Sequence, residues 1–147
     1  MSRLLAIALL CFTAPLYAAP VPKEVKKEQK LEGTWQVTGL VTNGQDSAQG
    51  TSYWTIDAEG GLFLHSEPTA PSGQTARIRM KYDPSTKAVE YTDVNPPNRN
   101  YPGLYEISDD VLKISFTLTD QTRPKAVVGG QDLNLWTFKR VYAGEKK

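Results

Sequence analysis

The stretch Leu31-Glu32-Gly33-Thr34-Trp35 lies between a charged run and the first segment in which apolar and polar residues alternate, and its reading decides the fold. A glycine two residues ahead of a tryptophan lets the backbone bend in closely beside a large indole. From Thr34 onward the period is two rather than 3.6, and turn residues interrupt it repeatedly. The pattern predicts strands over Thr34–Thr42, Thr51–Asp57, Leu62–Ser66, Ala76–Tyr82, Ala88–Thr92, Leu104–Ser108, Val111–Leu118 and Leu135–Tyr142. Between them, Asp57-Ala58-Glu59-Gly60-Gly61 supplies glycines for positive φ and Asp83-Pro84-Ser85-Thr86-Lys87 a proline with preset φ. Ser108-Asp109-Asp110 makes a tight hairpin. No segment carries a long helical period, so the expected class is all-β.

Eight short strands in series fit a sandwich, a jelly roll or an up-and-down barrel, and of these the barrel alone removes every unpaired edge. In an antiparallel barrel with an even number of strands, the start of the first lies beside the end of the last at one rim. That places Trp35 near Arg140. Parity agrees: Trp35, Val37 and Val41 share one face of the first strand, and Trp136, Phe138 and Arg140 share one face of the last. The indole then plugs one end with the guanidinium over it, a contact worth ~0.5–2 kcal/mol. By the same parity Trp54, Ile56, Ile78, Met80, Val89 and Tyr91 point inward, as do Leu112, Ile114, Phe116 and Leu118.

The ends of the chain read differently. A short cationic start, the apolar run Leu4–Phe12 and small residues up to Ala18 make residues 1–18 a secretory signal peptide. Pro15 breaks the run well short of the ~20 residues a membrane span needs. Leu10 before Cys11 argues against a lipid anchor there. Residues 19–30 form a charged leader, 31–142 the barrel domain and 143–147 a tail. Cleavage removes Arg3 from the 17 basic residues and leaves them level with the 16 acidic ones. Such a balance builds in no attraction to nucleic acid, and no membrane insertion is expected once the signal is gone. The single cysteine, Cys11, leaves with the signal, so stability must come from a packed core. The expected location is periplasmic or secreted.

The Gly33, Trp35 and Arg140 arrangement resembles the Gly-x-Trp opening and late arginine of lipocalins. The order Leu-Glu-Gly-Thr-Trp, Asp83-Pro84, Pro102-Gly103-Leu104-Tyr105-Glu106, Arg123-Pro124 and Lys139-Arg140 is similar to that of an uncharacterised bacterial lipocalin-like domain family. The resemblance runs from Leu31 to Arg140 and implies a lipocalin-like up-and-down barrel with no assigned activity. The chain departs from that pattern at Leu104, Ser115 and the Lys125–Gly130 stretch.

The residues give no constellation for catalysis. His65 is the sole histidine, and Ser66 beside it points to the other face of its strand. One histidine and no mature cysteine do not make a tetrahedral zinc set, and the glycine-rich turn lacks the oxygen spacing of a calcium loop. Asp109-Asp110 serve the hairpin. No enzyme activity, metal or cofactor is expected. A small barrel holds side chains or one small ligand, so the expected function is a non-catalytic carrier of a small apolar or amphipathic ligand. The alternative is an envelope interaction scaffold with a filled barrel and a protein partner. The candidate ligand residues are Trp54, Tyr91, Arg99, Tyr101, Phe116 and Arg123, with the mouth at the rim opposite Trp35.

Overall fold

Alternating side chains and tight turns produce nine strands: β1 Gly33–Thr42, β2 Gln45–Asp46, β3 Tyr53–Ile56, β4 Gly61–His65, β5 Ile78–Asp83, β6 Ala88–Asp93, β7 Asn100–Ser108, β8 Val111–Thr117 and β9 Leu133–Val141. The computed structural model describes residues 30–47, 50–69, 75–76, 78–94, 99–118 and 122–142. The expected signal peptide, the leader up to residue 29, the tail, Arg77 and Asn95–Asn98 lie outside the described residues.

Each strand pairs antiparallel with its neighbour, and β1 pairs with β9 from Thr34↔Val141 to Thr42↔Asn134. The sheet is therefore a closed up-and-down barrel of eight strands, with β2 a two-residue hairpin partner at the end of β1. Closure pairs the backbone groups that an open edge would expose. Among the described residues no helix is long and apolar enough to cross a membrane.

One end of the barrel is packed solid. Trp35 pairs across the seam with Arg140, whose guanidinium lies 4.1 Å from the indole centroid. The Trp35 indole N–H donates to the Leu31 carbonyl at 2.8 Å, and Arg140 donates through Nη1 to the Glu32 carbonyl at 3.0 Å. Gly33 sits at φ 123°, and a Cβ there would meet Arg140 Nη1 at 3.0 Å. Its glycine thus answers both to backbone conformation and to space. Leu31, Trp35, Tyr105, Leu112, Ile114 and Phe138 are buried in this half, with Leu31 and Trp35 fully inaccessible.

Two features depart from simple alternation. The register between β1 and β9 shifts between Val37 and Gly39, so Thr38 is a bulge residue. Beyond it the inward parity changes from odd to even: Leu40 is buried opposite Trp136, whereas Val41 faces outward. The expectation that Val41 shares the inner face with Trp35 is corrected by that bulge. Second, β7 begins at Asn100, four residues ahead of the predicted start. Tyr105 N–H bonds to the carbonyl of Lys87, just ahead of β6, so odd residues of β7 direct their nitrogens to β6 and even ones toward β8. The β7–β8 pairing stops at Gly103↔Phe116. Pro102 therefore lacks an N–H where no ladder bond is made, and the strand tolerates it.

Outside the barrel, the segment 122–131 lies across β8, β9 and β1. Ser115, fully buried on the outer face, donates to the Val128 carbonyl at 2.9 Å, and Gly129 packs against Val41 and Leu135. Pro124 is buried in the same layer.

Candidate functional site

The opposite half of the barrel is open. Residues of β3, β4, β6, β7, β8 and β9, with Ser52 and Leu118 beside them, line a cavity of about 520 Å³, within the ~300–1,000 Å³ usual for small-ligand sites. Its walls are aromatic. On one side Trp54 of β3 packs 5.0 Å from Trp136 and 4.7 Å from the buried Phe138, both of β9. On the other, Tyr91 of β6 meets Tyr101 of β7 at 5.8 Å and Phe116 of β8 at 5.7 Å, both edge-on. Gly103 makes the second wall possible: a Cβ at that position would stand 2.7 Å from the Phe116 ring and 2.6 Å from the Ser115 carbonyl oxygen. At the rim Leu64 and Leu118 line the opening with 51% and 37% of their surface exposed.

The polar groups on the lining are few. Asp93, Asn134, Ser52 and Thr117 contribute, together with the two tyrosine hydroxyls. Burial, then the Asp93 carboxylate and Tyr101, push the Tyr91 phenol up to about 12, so it is a neutral donor and acceptor at physiological pH. Asn134 Oδ1 is buried without a hydrogen-bond partner. An unsatisfied buried acceptor costs ~1–3 kcal/mol.

Of the six candidate ligand residues, four are brought together: Trp54, Tyr91, Tyr101 and Phe116 line the one cavity. Arg99 does not join them. It is exposed, with its carbonyl accepting from the Asp93 N–H at 3.0 Å. Arg123 lies on the outer wall, where Nη2 meets Glu90 Oε1 at 3.4 Å, and it borders a shallow outer depression of about 390 Å³ with Lys125 and Asp132. Its guanidinium thus pairs with Glu90 outside the lumen. Tyr101, read as a loop residue, is a strand residue facing inward. Gly33, Trp35 and Arg140 sit at the closed end, remote in the chain order of each strand from the rim residues Ser52, Leu64 and Asn134.

Asp93 and Asn134 were missed from sequence because each lies one residue beyond a predicted strand end. Extending the alternation by a single residue, from Tyr91 to Asp93 and from Trp136 to Asn134, is the signal that places them inside.

His65 is on the outer face of β4, opposite Tyr53, whose ring stacks on it at 5.8 Å. Its Nδ1 bonds to the Glu67 carbonyl, which requires a proton on Nδ1; in the neutral ring Nε2 then accepts from Thr55 Oγ1 at 2.9 Å. Thr34 Oγ1 completes the chain 2.8 Å from Thr55 Oγ1. These bonds tie β4, β3 and β1 together outside the lumen. Among the described residues no three His, Cys, Asp or Glu side chains gather as a metal-ligand group.

Comparison of the chain with protein-family models, with curated proteins and with solved structures finds no match. The fold and the cavity define an antiparallel up-and-down barrel of lipocalin-like architecture, sealed at one end and open at the other.

Proposed function

We propose that this protein is an exported, non-catalytic binding protein of the lipocalin-like kind, and that its open half-barrel holds one small ligand with an apolar body. The observation that carries the reading is the cavity of about 520 Å³ between two aromatic walls. A filled barrel, as the scaffold alternative needs, leaves no such space. Rigid aromatic faces bury large area with few rotatable bonds, so a ligand between Trp54 and Phe116 meets a largely preformed site. The resemblance of residues 31–140 to the uncharacterised bacterial family supports the same reading by analogy of fold.

Binding is tested by titrating the protein with the neutral apolar dyes N-phenyl-1-naphthylamine and Nile red while following tryptophan emission. Saturable one-to-one binding that Trp54→Ala and Phe116→Ala weaken by unequal factors supports the carrier. Wild-type protein that binds none of them favours the scaffold. Export is tested by the intact mass of protein recovered from the envelope: a chain beginning near Ala19 without lipid is expected, and a retained Cys11 carrying a lipid mass overturns it.

A further inference from the structure

The charges around the cavity are one-sided. Among the described lining residues Asp93 is the one ionised side chain, and no described lysine, arginine or histidine joins it. Arg99, on the same hairpin as Asp93, is exposed and outside the lining, and Arg123 is paired with Glu90 on the outer wall. A carboxylate drawn into this cavity gives up water, finds no cation and meets the Asp93 charge, all of which oppose it. A cation meets the reverse. Trp54, Trp136, Tyr91, Tyr101 and Phe116 present π-systems around one volume, and such rings attract a desolvated ammonium. Asp93 has contacts of its own, so its charge near the opening, rather than a vacant oxygen, is what a cation meets. The Asn134 amide adds an acceptor, since Oδ1 lacks a donor and a turn of the amide offers it to an N–H entering the cavity.

Resting on the carrier reading above, we infer that the cavity selects organic ammonium compounds with an apolar body over carboxylates of the same size. Fatty-acid-type ligands are excluded by the same lining that admits amines.

The test compares decylammonium, decanol and decanoate by isothermal titration calorimetry at low ionic strength, on the wild type and on Asp93→Asn. The expected order is decylammonium, then decanol, then decanoate, with at least about tenfold between the first and last. Asp93→Asn should lower the decylammonium-to-decanol ratio several-fold, and an unchanged thermal midpoint shows that the variant is folded. On the wild type alone, raising the salt concentration should shrink the same ratio, because exposed charge at the rim is screened. Decanoate binding as tightly as decylammonium, or an ammonium preference untouched by both Asp93→Asn and salt, overturns the inference and leaves the carrier standing. If none of the three binds, the carrier reading itself fails.

Discussion

At the scale of single residues, the closed end depends on Trp35. Its ring is fully buried, its N–H is used by the Leu31 carbonyl, and Arg140 covers its face. Trp35→Ala should therefore lower stability by ~3–5 kcal/mol, a large share of the ~5–15 kcal/mol typical of a domain. A chemical denaturation curve with an unchanged midpoint contradicts that role. Arg140→Lys keeps a charge but loses the planar fork over the indole, and a loss of ~1–2 kcal/mol is expected in the same assay. Asp83 offers a pH test. Bonds from the Ser85 hydroxyl and N–H and from the Thr86 hydroxyl hold its carboxyl down at about 2. The folded value lies below the unfolded one, so its contribution is complete above the ordinary aspartate range and is lost as pH falls through about 2. An NMR titration of the Asp83 side chain should show that late midpoint, and Ser85→Ala should move it upward.

Among the elements, the strands show where sequence alone suffices and where it stops. Parity places Trp54, Tyr91 and Phe116 inside because β3, β6 and β8 run without interruption. The same rule fails at Val41, since the extra residue at Thr38 changes the face, and nothing in Val-Thr-Gly announces a bulge. Pro102 and Gly103 lie ahead of the predicted strand, yet the proline nitrogen points where the β7–β8 pairing has stopped and the glycine lies against the Phe116 ring. Both are strand residues for reasons that reside in their neighbours. Gly33, Trp35 and Arg140 were legible because, in a closed antiparallel barrel with an even number of strands, the first strand begins beside the end of the last. Arg123 was not, because its position depends on how the 122–131 segment lies over the outer wall. Gly103→Ala tests this element directly: the added methyl has no room beside Phe116 and the Ser115 carbonyl oxygen. A loss of ~1–3 kcal/mol is expected by thermal or chemical denaturation, together with altered affinity for any cavity ligand. Ser115→Ala, which strands the Val128 carbonyl under the outer segment, should cost ~1 kcal/mol without touching that affinity.

For the whole molecule, the barrel divides into a sealed half that supplies stability and an open half that supplies a surface for a ligand. The three tryptophans report on the two halves separately: Trp35 lies in the first, Trp54 and Trp136 line the second. Their indole N–H groups give distinct signals in a nitrogen-edited NMR spectrum, so one titration reads both halves at once. The central claim is that the open half is the binding site, and decylammonium titrated into the labelled protein tests it most directly. The indole signals of Trp54 and Trp136 should move along one saturation curve, with the backbone amides of Tyr91, Tyr101 and Phe116, while the Trp35 indole stays in place. Shifts confined to the outer wall around Arg123 and Glu90, or movement of the Trp35 indole without that of Trp54 and Trp136, contradict it.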